Sequence, residues 1–272
     1  MKPDNTTVLV SAFATVAAGV SVIDIPILDA GGVYTVYLDP AYASIASASV
    51  TLSNDAVGTL PIDGTPQNVT LNGLGQYATY DFTVSTPGQN LGLGLSALAL
   101  TPASGGVNLV LDQIGGVQTG CYLGPPVNGC ALNLANLAAG SYRILAKPPA
   151  PTTAASFTLT LSTEVTGPKL TLGTPYSLAV NRYGQNARLS FGGVVGENRR
   201  VTVTSLQGLP AGQYVRIGVR RPSDGYQFMY NGVTGPGGSF DISNLAQTGD
   251  YTLWFAGDYG QTYSLTVNVT QY

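Results

Sequence analysis

The feature that most constrains this chain is an internal repeat of constant spacing. Three copies share a strand-like motif that starts at Tyr34, Tyr142 and Tyr251. A Gly-Thr-Pro motif ends at Pro66 and again at Pro175, 109 residues later (175 − 66). Tyr142 and Tyr251 are also 109 residues apart (251 − 142). So constant a spacing indicates units of one size, each a small domain. Arrays of one such unit usually serve as spacers, adhesins or binding surfaces.

Composition and periodicity together predict the fold class. Charged residues make up 9% of the 272 residues, against roughly a quarter in an average globular protein. The 35 glycines and 17 prolines suit short strands joined by tight turns. Apolar residues alternate with polar ones, as in Val215, Ile217 and Val219 against Arg216 and Arg220. No stretch keeps a helical period, so we predict an all-β chain of tandem antiparallel β-sandwich modules, jelly-roll-like, with seven to nine strands each.

The repeat also predicts the module boundaries. Residues 1–57 match the C-terminal half of a repeat, and residues 58–167 and 168–272 match complete β-sandwich modules. Short proline-marked junctions are expected over 57–66 and 166–175, where they would fix the angles between modules.

The first segment begins in the middle of a repeat. Its uncharged stretch superficially resembles an export signal, but Lys2-Pro-Asp-Asn aligns with Arg221-Pro-Ser-Asp, so we expect ordinary module sequence. Such a half-module would leave an exposed sheet edge and an apolar face open to strand addition. Either a longer parent protein precedes it, or a partner supplies the missing strands.

The same motifs carry a resemblance to a known family. They are the segments 75–82, 87–90 and 137–142, and their later counterparts 184–196, 221–225 and 245–254. These resemble the bacterial pre-peptidase C-terminal domain and its tandem relatives in large secreted proteins. The resemblance implies a jelly-roll-like sandwich, a secreted, extracellular or cell-surface location in a bacterium, and an accessory role beside other domains. Some relatives bind calcium or insoluble polymers, but this chain has no Asp-x-Asp-x-Asp run.

Cys121 and Cys130 are the only two cysteines, and the chain has no histidine. Two cysteines without histidine cannot complete a structural zinc site. A disulfide that clips a hairpin loop is one interpretation, and it would place the protein in an oxidising compartment. Two reduced cysteines in a hydrophobic core are the alternative.

Several kinds of chemistry and partner are disfavoured by composition. Without histidine there is no Ser-His-Asp or Cys-His catalysis and no common catalytic zinc site. None of the three lysines stands in a Ser-x-x-Lys context. We therefore predict no enzymatic activity, no cofactor and no metal site. A net charge of −3 argues against nucleic acid, and no stretch is apolar enough for membrane insertion.

Charge is unevenly distributed along the sequence. Residues 1–167 hold three basic and nine acidic side chains, whereas residues 168–272 hold eight basic and five acidic ones. This is either ordinary surface variation or a means of steering contacts between unlike ends.

Aromatic residues are concentrated in the last module. We predict that Tyr226, Phe228 and Tyr230 share one strand face and, with Trp254, form a platform for sugars or a partner surface. The alternative is that they belong to the core. The recurring tyrosines at 34, 142 and 251 are expected to pack like the tyrosine corner of other sandwiches.

Two functions follow as hypotheses. The first is a non-catalytic extracellular structural or adhesive repeat protein, a stalk or filament building block that assembles by strand or end-to-end contacts. Its partners would be further copies or neighbouring modules of a longer polypeptide. The alternative is a carbohydrate-binding accessory module of a secreted enzyme, with polysaccharide as the partner.

Overall fold

The structure is a computed structural model that describes residues 1–272 except 4–6, 13–18, 27, 29–30, 41–44, 46, 114–118, 125–128, 149 and 151–152. The described residues form strands and turns and no α-helix, which confirms the all-β prediction. Within them, no helix is long and apolar enough to cross a membrane.

Nine strands build the first sandwich. They are β1 (Ala56–Thr59), β2 (Gln67–Leu71), β3 (Ala78–Val84), β4 (Gln89–Thr101), β5 (Val107–Gln113), β6 (Thr119–Leu123), β7 (Gly129–Leu137), β8 (Gly140–Lys147) and β9 (Ala154–Thr163). A five-stranded sheet, β1-β3-β8-β5-β6, faces a four-stranded sheet, β2-β9-β4-β7.

The second sandwich repeats this topology strand for strand. Its strands are β10 (Val165–Leu170), β11 (Tyr176–Val180), β12 (Asn186–Gly193), β13 (Arg199–Gln207), β14 (Tyr214–Arg220), β15 (Gln227–Thr234), β16 (Gly238–Ile242), β17 (Gly249–Gly257) and β18 (Tyr263–Gln271). The sheets are β10-β12-β17-β14-β15 and β11-β18-β13-β16. All described pairings are antiparallel except those of β1 with β3 and of β10 with β12, which are parallel.

Each sandwich has its own hydrophobic core because one face of each alternating strand turns inward. Leu91, Leu93 and Leu95 of β4 are fully buried in the first core, and Val201 and Val203 of β13 occupy the matching place in the second. The two clusters share no residue.

A tyrosine corner recurs in both cores. The Tyr142 hydroxyl donates to the Ala138 carbonyl at 2.9 Å. Tyr251, one repeat later, donates to the Gln247 carbonyl at 2.9 Å. The expected packing role is confirmed for these two tyrosines, whereas Tyr34 lies outside any described strand.

The predicted junctions do not lie between the sandwiches. The segment 166–175 lies inside the second sandwich, where β10 crosses to β11 in the facing sheet, and 57–66 holds the same place in the first. A single residue, Glu164, separates β9 from β10. Proline and glycine at these positions form the turn by which the chain crosses from one sheet to the other within a module. The sequence prediction was wrong because such a crossing uses the same turn residues as a linker between modules.

The described part of residues 1–55 contains no strand and no buried residue. By the repeat, residues 1–55 correspond to β15–β18 of the second sandwich, and those four strands pair with β11–β14. The described part of residues 1–55 contains no strands that correspond to β11–β14. Apolar side chains such as Val33 and Val36 are exposed. A local repeat contact persists: a Cβ on Gly32 would meet Pro3 at 2.9 Å, as one on Gly249 would meet Pro222 at 2.9 Å.

The two cysteines are joined by a disulfide. Cys121 lies on β6 at the edge of the five-stranded sheet, and Cys130 lies on β7 at the edge of the facing sheet. The bond therefore fastens one sheet to the other, rather than clipping two strands of one hairpin as predicted. The difference arises because the chain between the cysteines changes sheets.

Replacing both cysteines by serine should destabilise the first sandwich and leave the second unchanged. A loop of about ten residues is expected to contribute about 2–3 kcal/mol by restricting the unfolded chain, which corresponds to a fall in Tm of about 10 °C. Differential scanning calorimetry measures both transitions in one experiment. The second sandwich contains no cysteine and serves as the internal control, so an equal fall in both transitions would contradict the assignment.

Candidate functional site: an arginine–aromatic face and a glycine-lined junction

The structure separates the four aromatic residues that were predicted to form a platform. Tyr226 precedes β15, and its ring lies 4.8 Å from the Arg221 guanidinium. Phe228 is more than a third exposed, and its ring lies 5.9 Å from that of the buried Tyr251 in an edge-on contact. Tyr230 and Trp254 lie on the outer face of the five-stranded sheet, since Gly218 pairs with both.

The predicted shared face of β15 is not formed, because the strand is irregular at its start. A bulge shifts the pairing so that Val219 faces Met229 but Arg220 faces Gln227, which leaves Phe228 as the extra residue. An extra residue reverses the alternation of sides. The prediction from strict alternation along the strand therefore placed Phe228 on the wrong face of the sheet.

A row of four residues crosses the outer face of this sheet. It runs Arg188, Trp254, Gly218, Tyr230 over β12, β17, β14 and β15. A Cβ on Gly218 would come within 2.5 Å of Gln227 Oε1. The glycine thus leaves room for the Gln227 carboxamide over the strand between the two aromatic residues. We call this surface the arginine–aromatic face.

Two further arginines on β14 flank Gly218. The Arg220 guanidinium lies 6.0 Å from the Trp254 ring, and that of Arg216 lies 5.6 Å from the Tyr214 ring. Guanidinium groups attract aromatic rings through the ring quadrupole, at about 0.5–1 kcal/mol where exposed. The arginines therefore hold the aromatic side chains in place as well as adding charge.

The three arginines of the face differ in their ion pairs. Arg188 Nε donates to Glu164 Oε2 at 2.9 Å, and Arg216 Nη2 donates to Asp258 Oδ1 at 3.0 Å. Among the described residues, no carboxylate pairs with Arg220. Burial, and then the charge of Arg188, lowers the pKa of Arg220 from its ordinary value. Arg220 is thus the one guanidinium of this face without an ion-pair partner among the described residues, although the charge of Glu164 also acts on it.

Three N–H donors of this face are also without a partner in the described structure: Trp254 Nε1, Arg216 Nε and Arg220 Nε. The described residues contain no cluster of His, Cys, Asp or Glu that could hold a metal ion. The face presents aromatic rings beside cationic N–H donors. This arrangement suits binding.

A second built feature joins the sandwiches. The turn at Tyr183 and Gly184 of the second sandwich lies on the outer face of β4, against Gly92 and Gly94. A Cβ on Gly92 would lie 2.1 Å from the Gly184 carbonyl oxygen, and one on Gly94 would lie 2.7 Å from the Tyr183 carbonyl carbon. Real Cβ atoms do not approach this closely, so only glycine admits the turn at both positions.

Polar contacts complete this glycine-lined junction. Gln185 Nε2 donates to the Thr163 carbonyl at 2.9 Å, and Asn186 Nδ2 donates to Asn133 Oδ1 at 2.9 Å. Burial at the junction raises the pKa of Tyr183 to about 12, so its hydroxyl stays neutral below that pH. Together with the Arg188–Glu164 pair, these contacts fix the position of the turn.

Part of this junction recurs one repeat earlier in the chain. Gln76 Nε2 donates to the Asn54 carbonyl at 2.7 Å, as Gln185 donates to Thr163. A Cβ on Gly75 would lie 3.1 Å from the Val22 side chain. The first sandwich therefore contacts the segment before it with the same turn that the second sandwich uses.

The matching outer face of the second sandwich is different. By strand pairing, Arg200 and Thr202 occupy the places of Gly92 and Gly94. Arg200 forms a two-pronged pair with Asp241, with Nε 2.6 Å from Oδ1. Side chains thus fill the space that the junction glycines leave open.

Sequence reasoning missed the junction glycines. The signal was present in β4, whose sequence Leu91-Gly-Leu-Gly-Leu95 keeps a perfect apolar alternation and places glycine at each outward position. Glycine repeated on one face of a strand indicates a close approach by another backbone.

No protein-family model and no curated protein matches this sequence. Among solved structures, the chain is similar to the pre-peptidase C-terminal domain of collagenase from Bacillus anthracis, with 15% identity, 39% of this chain and 96% of that chain covered, and a TM-score of 0.32. It is also similar to the periplasmic lysozyme inhibitor PliG of Aeromonas hydrophila, with 15% identity, 39% and 96% coverage and a TM-score of 0.29.

A third similar structure spans two domains. It is the N-terminal tandem CBM22 pair of Xyn10C from Paenibacillus barcinonensis, with 8% identity, 71% of this chain and 82% of that chain covered, and a TM-score of 0.25. Similarities at this level carry no functional inference.

Proposed function

We propose that this protein is a non-catalytic, extracellular structural or adhesive repeat protein that holds β-sandwiches in series at a fixed angle. The observation that carries the proposal is the glycine-lined junction. A flexible tether would need several residues between the sandwiches, whereas here Glu164 alone separates β9 from β10. The turn at Gly184 also packs backbone against backbone on β4.

The burial of polar groups at the junction supports the same proposal. Thr160 and Ser162 pair with Gly94 and Gly92 on the outer face of the four-stranded sheet, yet both are almost fully buried. Outward-facing hydroxyls become buried when another surface covers them. A covered junction with directional hydrogen bonds resists bending, which is what a stalk or filament segment requires.

The proposed partners are further copies or neighbouring modules of a longer polypeptide. The contact of Gln76 with Asn54 repeats that of Gln185 with Thr163, which supports serial docking by one recurring turn. The outer face that carries Arg200 is not shaped to receive this turn, so assembly would use another surface of the second sandwich. The disulfide supports a location in an oxidising, extracellular environment.

Mechanical unfolding tests the proposal. Pulled from its two ends in optical tweezers, the full chain should give two unfolding events, one for each core. Because each sandwich spans over a hundred residues, each event should release contour length on the order of 350 Å. The double cysteine-to-serine variant is the control, since it should lower the force of one event only. A single event that releases both lengths would contradict sandwiches arranged as separate mechanical units.

A second function, polysaccharide binding, is supported by one specific observation. Trp254 and Tyr230 lie on one face with Gly218 between them, and the ring of Tyr230 is half exposed. Flat aromatic rings beside hydrogen-bonding groups suit the apolar faces of sugars. An array that binds a polysaccharide would be adhesive, so the two functions are compatible.

A further inference from the structure

We infer that the arginine–aromatic face binds an acidic polysaccharide, with the carboxylate of a uronate residue on Arg220 and the sugar ring stacked on Trp254. This inference rests on the second proposed function and names its ligand class. It comes from the juxtaposition, on one outer sheet face, of a guanidinium without an ion-pair partner in the described chain, an indole, and a glycine covered by the Gln227 carboxamide.

Charge favours an anionic ligand. The face carries Arg188, Arg216 and Arg220 against two carboxylates, those of Glu164 and Asp258, and each carboxylate already holds one arginine. The third arginine, Arg220, has no such partner among the described residues. Burial, and then the charge of Arg188, lowers the pKa of Arg220, and the charge of Glu164 opposes this shift. A ligand carboxylate at Arg220 would relieve the repulsion between the two guanidinium groups.

The chemistry of the guanidinium favours a carboxylate. Arginine presents a planar fork of N–H donors that matches the two oxygens of a carboxylate, and such charge-assisted pairs are among the stronger hydrogen bonds. The nearby donors Trp254 Nε1 and Arg220 Nε lack acceptors in the described structure. Both atoms are buried, so a ligand rich in oxygen acceptors would pair with them only once these side chains turn outwards.

The geometry favours a chain over a single sugar. Trp254 and Tyr230 lie two strands apart, which corresponds to about 10 Å across the sheet. Between them Gly218 has no side chain, and the Gln227 carboxamide that occupies the space above it offers both a hydrogen-bond donor and an acceptor. A polymer can contact both rings while one of its carboxylates lies on Arg220.

Binding of the full chain to polygalacturonate, compared with fully methyl-esterified polygalacturonate, tests this inference by isothermal titration calorimetry at low salt. Esterification removes the carboxylate charge and keeps the sugar backbone. We expect saturable binding to the free acid and at least about tenfold weaker binding to the ester, as for the loss of a charge-assisted hydrogen bond. Arg220→Gln and Trp254→Ala should each weaken binding to the acid by about tenfold.

The matched control is Arg200→Gln, which removes the same charge from the opposite sheet of the same sandwich and should leave affinity within about twofold. Arg220→Lys keeps the positive charge but loses the planar pair of N–H donors, so this variant should bind polygalacturonate less tightly than the parent protein does. Equal losses in Arg200→Gln and Arg220→Gln would show non-specific charge attraction and overturn the site. Equal binding of acid and ester would overturn the ligand class alone, and binding of neither polymer would overturn the polysaccharide function itself. Circular dichroism of each variant separates a loss of binding from a loss of fold.

Discussion

Gly184→Ala is expected to open the junction between the sandwiches and to destabilise the protein by about 2–5 kcal/mol. Two costs add. Gly184 has φ +77°, a left-handed conformation that costs a residue with a Cβ about 1–2 kcal/mol. The new Cβ would also lie 2.3 Å from the Gly94 amide nitrogen, and backbone on both sides leaves no flexible side chain to yield. Overpacking of this kind typically costs about 1–3 kcal/mol.

Small-angle X-ray scattering and calorimetry together measure the effect. The distribution of interatomic distances should broaden as the sandwiches lose their fixed angle, and the two thermal transitions should move apart. Gly173→Ala is the matched control, since Gly173 has φ +78° and nothing within 4 Å of a new Cβ. It should show the backbone cost alone. Identical behaviour of the two variants would mean that the close approach to Gly94 does not hold the junction.

Gly94→Ala tests the junction contact independently, because Gly94 does not have the left-handed backbone conformation of Gly184. Gly94 is absent from the positive-φ positions of the described chain, so any loss at this site reflects the contact with Tyr183 and Gly184. We expect the same broadening of the scattering curve as for Gly184→Ala. An unchanged curve would contradict the junction as described.

Phe191→Ala is expected to destabilise the second sandwich by about 3–5 kcal/mol, the usual cost of truncating a fully buried phenylalanine. Phe191 is wholly buried, and its ring stacks on that of Tyr251 with centroids 5.6 Å apart. The cavity would lie beside the tyrosine corner, so the hydrogen bond from Tyr251 to Gln247 would weaken as well. With the stability of a small domain near about 5–15 kcal/mol, this single change removes a large share of it.

Phe82→Ala is the matched variant in the other core. Phe82 stacks on Tyr142 at 5.1 Å, one repeat before the pair formed by Phe191 and Tyr251. The single tryptophan, Trp254, lies in the second sandwich, so its fluorescence reports on that sandwich alone during denaturant unfolding. Phe191→Ala should shift the fluorescence midpoint strongly, and Phe82→Ala should shift mainly the circular dichroism signal. Equal fluorescence shifts in both variants would indicate one cooperative core.

The sequence was informative about the fold because its signals are local. Apolar alternation along a strand, as in Val215 to Val219, needs no knowledge of the neighbouring strand. The constant spacing of Tyr142 and Tyr251 anticipated two copies of one tyrosine corner. The same local signals gave a wrong prediction for Phe228. The bulge there reverses which side chains face the core, and the composition of the strand does not reveal it.

The candidate site was anticipated only in part. Trp254 and Tyr230 were named as platform residues, but Arg188, Arg216 and Arg220 were noticed only as part of an uneven charge distribution. These arginines lie on two strands that are distant in sequence, and both strands pair with β17, which carries Trp254. Likewise, the prolines at 66 and 175 looked like linker residues because a turn between sheets and a turn between modules use the same residue types.

What the sequence determined by itself is the repeating β-sandwich, since alternation, turn residues and a constant repeat spacing act within single strands and single modules. What only the tertiary structure decided is where the modules meet and which side chains share a surface. The physical reason is that close approach and charge compensation depend on distances across strands. Gly94 and Gly184 are far apart in the sequence and in contact in space.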